Sequence, residues 1–440
     1  MTVAARKTKF RITVDFQPHS PEQASILSAV EDELDVTCGR RFGKSKLAKA
    51  WITGLHPGAT WGAVHTPGGR FWYVAPTLRP VARDAYRELK KSLGTLVKHK
   101  NDSDLELTLF NDAVIEFKSA ENPDNLLGPG LDGLVLDEKG VISAHTWDTV
   151  LSPMLADPPE RCRRRVLRVG TPRGKKHWTY REHVLGLEGP HGVGGRRAFQ
   201  FPTWCRPGMQ AFCDRQRKIR PANAYDQEYG AIFLDSAAGF FQKIPEAHDG
   251  KPAPTGPEKG ASYTAGMDFA HTDDWNTVAV VQASPKPSRI AALERFGRAP
   301  WPATKGRGVA VFRKWNVVNA MIDATPGGAP GEVTIEAFRP EWSRLEGFDF
   351  REHGSREDLL ANLAIMLETG ELTLPGTYEN PAFPVLTAEL EAFEYEILPS
   401  GRPRAKAKRG MNDDAVMGAA LGAWCAKRAA SIGYGSRKTY

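Results

Sequence analysis

The residues Val36 to Ser45 read Val-Thr-Cys-Gly-Arg-Arg-Phe-Gly-Lys-Ser. A short apolar strand, Leu34 to Cys38, runs into a Gly/Arg loop that closes on Gly43-Lys44-Ser45. The composition predicts a helix from Lys46 onward. This order of strand, loop and helix is that of a phosphate-binding loop. Backbone N–H groups of Gly39, Arg40, Arg41, Phe42 and Gly43 would cradle phosphates, Lys44 would reach the β and γ oxygens, and the Ser45 hydroxyl would ligate Mg²⁺. The following helix adds the positive end of its dipole. The loop is a variant: Cys38 stands where the pattern has its first glycine, and Gly39 comes one place late. About ninety residues on, Gly133-Leu134-Val135-Leu136-Asp137-Glu138 brings two carboxylates to the end of an apolar strand. Asp137 can hold Mg²⁺ through water and Glu138 can polarise an attacking water.

A second set of carboxylates lies downstream. Asp268 ends the strand Ala265-Gly266-Met267-Asp268, Asp323 ends Val-Val-Asn-Ala-Met-Ile-Asp, and Asn412-Asp413-Asp414 opens the last apolar helix. Brought to one sheet edge, Asp268, Asp323, Asp413 and Asp414 could bind two Mg²⁺ or Mn²⁺ ions for in-line phosphodiester cleavage, with Asp268, Asp323 and Asp414 as ligands. Singly, each has an ordinary reading as an N-cap or a strand-end turn. Just upstream, the run from Gly401 to Gly410 carries five cations, Arg402, Arg404, Lys406, Lys408 and Arg409, suited to a DNA phosphate backbone. It has no interleaved aromatic residues, so base stacking is not implied. Gln23, in Phe16-Gln17-Pro18-His19-Ser20-Pro21-Glu22-Gln23, has an amide able to read the adenine edge; the same segment also reads simply as a helix start with Pro21 in its first turn. Gly170-Thr171-Pro172-Arg173-Gly174 follows another strand and can sense a γ-phosphate, or can be a turn.

The elements that must position these residues form two groups. Strand patterns at Phe71–Ala75, Leu131–Leu136 and Val166–Val169 alternate with helical spacing over 81–89, and Leu105–Leu109 and Val114–Phe117 read as a hairpin around Asn111-Asp112. This is an α/β pattern, a mostly parallel sheet flanked by helices, with ligands at the carboxyl ends of its strands. Residues 1–235 are thus predicted to be a P-loop ATPase domain. Residues 236–262, rich in Pro and Gly, read as a linker. Residues 263–428 show three consecutive strands (263–269, 277–282, 290–296), a helix at 303–313, a strand at 317–322 and helices at 357–368 and 415–428. That order predicts a mixed sheet of the ribonuclease H type, a second α/β domain with nuclease chemistry. Residues 429–440 read as a basic tail.

The chain has 440 residues, 41% of them hydrophobic and 25% charged, enough for two or three domains with real cores. No apolar run approaches membrane-spanning length. Met1 to Arg11 is basic without the apolar stretch of a signal peptide. Five scattered cysteines form neither a disulfide framework nor a zinc motif, which fits a reducing cytoplasm. The net charge of +7 favours an anionic partner.

A phosphate-loop ATPase followed by a ribonuclease H-like nuclease resembles the large terminase subunit of tailed bacteriophages. The likeness extends through Tyr73-Val74-Ala75-Pro76-Thr77, Asn125 to Glu138, Trp147 to Asp157, Thr171-Pro172-Arg173-Gly174, Gln227-Glu228-Tyr229-Gly230-Ala231 and Asn412 to Met417. It implies a motor that uses ATP to pump double-stranded DNA into a procapsid and a nuclease that cuts the concatemer. It also implies a portal protein and a small terminase subunit as partners, a homo-oligomeric ring during packaging, monomers in solution, and the host cytoplasm as location. The chain departs from the family pattern at Leu127, where an arginine acting on a neighbour's nucleotide is common; Arg70, Arg79 and Arg83 are the alternatives. It also has Asn412 in place of a frequent His. Two other readings stay open on sequence grounds: an ATP-dependent helicase or repair nuclease, and a DNA-binding assembly protein whose nuclease is inactive.

Overall fold

Six parallel strands and two antiparallel ones make the first sheet, and the central strands are rich in buried apolar residues. In chain order its strands are β1 (Glu33–Cys38), β2 (Arg70–Ala75), β3 (Val97–Asn101), β4 (Glu106–Leu109), β5 (Val114–Ser119), β6 (Gly133–Asp137), β7 (Arg165–Gly170) and β8 (Arg196–Phe201). The spatial order is β3-β4-β5-β2-β6-β7-β1-β8. From β5 to β8 the pairing is parallel, and only β4 and β3 are antiparallel. Side chains alternate across this sheet. Phe71, Tyr73, Val135, Leu167 and Val169 enter one apolar cluster, while Trp72, Val74, Leu134, Leu136 and Val166 enter another on the opposite face. A parallel sheet covered on both faces explains why these strands read as continuous apolar runs. The edge strands β3 (Val-Lys-His-Lys-Asn) and β8 lack such runs, and their pattern does not announce them.

The computed structural model describes residues 16–431 except 79–81, 157–162, 236–238, 270–274, 298, 325–330, 350–355, 398–402 and 409. The described residues divide into two compact units. One runs to Asp214 and adds Asp226–Asp235; the other comprises Arg215–Tyr225 and the described residues from Gly239 on.

The second unit is built on a six-stranded sheet of β9 (Ser262–Asp268), β10 (Asn276–Ser284), β11 (Ser288–Phe296), β12 (Val317–Asp323), β13 (Leu345–Phe348) and β14 (Leu372–Thr373). Its order is β13-β12-β9-β10-β11-β14, with β10 antiparallel to both its neighbours and β12 and β13 parallel to β9. Three antiparallel strands followed by two parallel ones on the far side of the first is the ribonuclease H arrangement. The protein is therefore an α/β chain in which a mostly parallel phosphate-loop sheet precedes a ribonuclease H-like unit. A separate hairpin pairs β15 (Phe393–Ile397) with β16 (Pro403–Ala407).

The expected linker over 236–262 is corrected by its packing. Phe240, Phe241, Ile244 and Ala247 are buried in the second unit's core, and the Phe240 N–H donates to the Phe393 carbonyl at 2.7 Å. Two adjacent phenylalanines carry too much apolar surface to be left in water, so the described part of this stretch is a strap on the second unit.

The long helix Asp414–Ser431 lies directly on β9 because glycine meets glycine. A Cβ on Gly266 would overlap both the Gly418 carbonyl oxygen and the Gly422 nitrogen. The Thr264 hydroxyl donates to the Gly422 carbonyl at 3.1 Å in the same contact. Gly266→Ala is expected to destabilise the second unit by about 3 kcal/mol, since backbone cannot yield as a side chain does. Chemical denaturation followed by tryptophan fluorescence should show an earlier transition for the second unit, with the first unit's transition unmoved.

Candidate active sites

The first site lies at the carboxyl ends of β1 and β6. β1 ends at the buried Cys38, and the chain turns through Gly39–Phe42 into the helix Lys44–Thr53. Gly43 caps that helix at φ 102°, a left-handed conformation natural to glycine. The loop is clasped from several sides. The Gly39 N–H donates to the Phe201 carbonyl at 3.0 Å, the Thr203 hydroxyl donates to the Arg40 carbonyl at 2.7 Å, and Arg206 Nη1 donates to the Arg41 carbonyl at 2.7 Å. Arg40 is ion-paired with Glu228, and Arg41 adopts φ 65°. The Phe42 ring is buried against Phe201, so that residue contributes its backbone to the loop and its side chain to the core.

Gln23 departs from the expectation. It is fully buried, its Nε2 donates to the Phe42 carbonyl at 2.7 Å, and its Oε1 accepts from the His19 N–H at 2.7 Å. Both ends of the amide are thus committed to backbone. In this structure Gln23 is inaccessible and braces the loop, and the segment forms the helix start of the alternative reading, with Ser20 as N-cap and Pro21 in the first turn.

Lys44 Nζ stands 3.8 Å from Glu138 Oε1. Asp137 is buried at the end of β6, accepts from the Tyr73 hydroxyl, and is also hydrogen-bonded by Ser45. Burial, followed by repulsion from Glu138, raises the Asp137 carboxyl above its ordinary range against the opposing pull of Tyr73, Ser45 and Lys44. Glu138 turns away from the strand at φ 52° and leaves its carboxylate partly exposed beside Lys44. Arg173, in the segment after β7, is buried, feels the Glu138 charge, and donates from Nε to the Gly140 carbonyl at 3.3 Å. A hydroxyl and a carboxylate already joined, next to a lysine at a helix N-terminus, form a donor set that fits Mg²⁺ with a triphosphate.

Beneath this site is a cluster that no sequence motif marks. Asp35, Lys139 and Arg168 are all essentially inaccessible. Lys139 pairs with Asp35, and Arg168 lies 3.5 Å from Asp35, 3.1 Å from Glu33 and 3.5 Å from Glu182. His183 Nδ1 stands 3.2 Å from Asp35. Burial by itself would raise the Asp35 carboxyl, but Lys139, His183 and Arg168 outweigh it and hold the group at about 2. One clue lies in the chain: Asp35 and Arg168 each interrupt an apolar strand, and they are register partners across β1 and β7.

The second site forms where β9 and β12 end side by side. Ile322 pairs with Met267, so Asp323 and Asp268 leave adjacent strands at the same edge. The helix Asp414–Ser431 packs on β9 and β10 with its N-terminus toward that edge, since Gly418 faces Thr277, the register partner of Asp268. Asp268 is pushed well above the usual carboxylate range, first by burial and then by the charges of Asp414, Asp413 and Asp323. All four carboxylates therefore act on one point, and hard cations suit such oxygen donors. Among the described residues, no three His, Cys, Asp or Glu side chains stand in a shared metal-binding geometry as positioned. The paired acids differ: Asp413 is ion-paired with Arg356, while the buried Asp414 lies 3.6 Å from Arg295.

Glu389 is a further carboxylate here. It is buried on the helix Ala382–Ala392 and accepts from the Ala415 and Val416 N–H groups at 2.9 and 3.2 Å, capping the helix that carries Asp414. Its signal in the sequence is a single acid within the apolar stripe Phe383, Leu386, Leu390.

Within the basic run, residues 403–407 form strand β16, whose register sets Lys406 opposite Glu394 and Arg404 opposite Glu396. Acids facing cations across a hairpin reduce its net positive field. Arg402, Arg409 and the Arg404 side chain lie outside the described residues; Lys406 and Lys408 are exposed. Of the alternatives to the arginine absent at Leu127, Arg70 begins β2 at the sheet edge opposite the phosphate loop, Arg83 opens a helix, and Arg79 lies outside the described residues. Leu127 itself is exposed.

The fold and its two sites define a phosphate-loop unit joined to a ribonuclease H-like unit with clustered carboxylates in one chain. No protein-family profile matches the chain. It is similar to the large terminase subunit of Thermus phage G20c, with 24% identity over 94% of this chain and 88% of that protein. It is equally similar to that of Thermus virus P23-45, at 24% identity over the same shares. The crystal structure of a large terminase from another thermophilic bacteriophage superposes with a TM-score of 0.47 at 12% identity, covering 92% of this chain and 98% of the other. The sequence resemblance to large terminase subunits thus runs nearly end to end.

Glu389 gives the second unit a characteristic pH response. Burial is the main cause that raises its carboxyl to about 7, against 4.5 for an ordinary glutamate. Between these values the folded chain keeps a proton that the unfolded chain releases. The stabilisation is complete below about 4.5 and is lost as pH rises through about 7. Thermal melts across this range should fall more steeply with pH in the parent than in Glu389→Gln, whose amide keeps an acceptor for the helix cap without titrating.

Proposed function

We propose that this chain is the motor and nuclease subunit of a viral DNA-packaging machine. It hydrolyses ATP to translocate double-stranded DNA into a procapsid, and it cleaves concatemeric DNA. The observation that carries this reading is the pairing, in one chain, of a phosphate loop facing Asp137-Glu138 with four aspartates at one edge of a ribonuclease H-like sheet. Similarity to large terminase subunits over nearly the whole chain supports it.

In the first site the Gly39 and Arg40 N–H groups are held by the Phe201 and Glu228 carbonyls, so the N–H groups of 41–43 are the ones that bind the phosphates, and Lys44 neutralises their β and γ oxygens. Ser45 and Asp137 would hold Mg²⁺, which when bound offsets charge on the phosphates. Glu138 orients the attacking water and accepts its proton. In the second site Asp268, Asp323 and Asp414 would hold two Mg²⁺ or Mn²⁺ ions, which supply charge stabilisation at the cleaved phosphate. Asp413 acts from beside them through its pair with Arg356. Lys406 and Lys408 contact the DNA backbone. The working assembly is a ring of copies on a portal protein and procapsid, served by a small terminase subunit in the host cytoplasm. Among the described residues no helix is long and apolar enough to cross a membrane.

Two substitutions separate the activities. Glu138→Gln should lower ATP turnover by at least about a hundredfold and leave nucleotide binding intact; unchanged turnover would remove its role. Asp268→Asn should abolish plasmid cleavage in Mn²⁺ or Mg²⁺ and spare ATP hydrolysis. Cleavage that persists in this variant would place the nuclease site elsewhere.

A further inference from the structure

We propose that Lys139 is a positioning residue of the ATPase site: anchored on β1, it sets the Glu138 carboxylate over the phosphate loop and ties it to the 171–174 segment. This rests on the ATPase reading above and extends it to a residue that touches neither nucleotide nor metal.

The geometry starts from two neighbours that point opposite ways. Glu138 has a left-handed backbone, φ 52°, and its carboxylate faces Lys44. A non-glycine residue holds such a conformation only when its surroundings impose it. Lys139 supplies the constraint. Its side chain enters the interior, fully buried, and its ammonium group is bound to Asp35 and, at 3.0 Å, to the Thr37 hydroxyl. Thr37 lies two residues before Gly39, so the anchor grips the strand that delivers the phosphate loop. A buried ammonium without these partners would be strongly disfavoured, so the side chain has one stable place.

The same residue touches β7. A Cβ on Gly170 would lie 3.0 Å from both Cγ and the backbone nitrogen of Lys139. One residue further, a Cβ on Gly140 would lie 2.9 Å from Cγ and Nε of Arg173, whose Nε donates to the Gly140 carbonyl. The turn 138–140 is thus packed without slack against 170–173. A shift of Arg173 reaches Glu138 through two residues, and a shift of Glu138 reaches Arg173 the same way. Glu138, Lys139 and Gly140 make one rigid piece between the loop strand and the segment after β7.

A purely structural pair would affect folding and nucleotide binding together. A positioning residue affects turnover alone. The test uses the full chain and the double variant Asp35→Asn/Lys139→Met, which removes both charges of the anchor. Thermal melting, equilibrium binding of a non-hydrolysable ATP analogue and steady-state ATPase kinetics are measured on the parent and the variant. The expected result is a folded protein with Kd and KM within about twofold of the parent and kcat lowered at least about tenfold. A folded variant with parental kcat would overturn the proposal, as would a loss of analogue binding in step with kcat. Should the double variant not fold, Gly170→Ala decides. Its added methyl presses on Lys139 from a backbone position that is not left-handed, and kcat should fall at least about threefold at unchanged KM. Parental kcat in that variant would overturn the proposal. A parent chain that binds the analogue but hydrolyses no ATP would instead refute the ATPase reading itself.

Discussion

A carboxylate withdrawn from water needs cations or hydrogen-bond donors around it. Both units of this protein are arranged about carboxylates withdrawn in this way. In the first unit the arrangement is complete. Asp35 is enclosed by Lys139, Arg168 and His183, and its carboxyl is held at about 2. Because Asp35 lies on β1 and its partners come from β7, the turn after β6 and the helix Trp178–Glu188, satisfying one charge fixes four elements relative to each other. The phosphate loop, the Asp137-Glu138 pair and the 171–174 segment all emerge from those elements.

In the second unit the dominant neighbours of one carboxylate are other carboxylates. Asp268 is raised by burial and then by three neighbouring aspartates. Arg356 is ion-paired with Asp413, and Arg295 lies 3.6 Å from Asp414 and 4.0 Å from Glu389. Carboxylates close enough to raise one another are the oxygen donors that suit a divalent metal. Asp137 occupies an intermediate position, with Lys44 near it and a tyrosine and a serine hydroxyl bonded to it, yet with its carboxyl raised. The contrast separates carboxylates paired with cations from carboxylates raised by burial and by one another.

Close backbone approach is the second common device. Gly266 lets the helix Asp414–Ser431 lie on β9, which brings Asp414 to the strand edge where Asp268 and Asp323 emerge. Gly170 and Gly140 do the same for the turn bearing Glu138. In both units a carboxylate of the candidate site is placed by close-packed glycines.

Much of this was legible in the chain itself. The apolar runs Phe71–Ala75 and Gly133–Asp137, buried on both sides, could only be central strands of a covered parallel sheet. The loop 39–45, the acids Asp137 and Glu138, and Asp268, Asp323 and Asp414 were each marked by residue type and spacing at element ends, where local sequence carries the signal. The edge strands β3 and β8 were not legible, because half-exposed strands have no apolar run to betray them. Residues 240–247 read as linker because Pro and Gly surround them, and only long-range packing, with both phenylalanine rings against Phe393, buries them. The sequence by itself determined the order of elements and which carboxylates sit at their ends, since both follow from periodicity and turn chemistry. Tertiary structure alone decided that Gln23 braces the loop, that β16 sets its cations opposite glutamates, that Glu389 caps the last helix, and that Asp35 meets Lys139 some hundred residues away. Those partnerships depend on which backbones can approach, and the approach is settled only when the sheets are assembled.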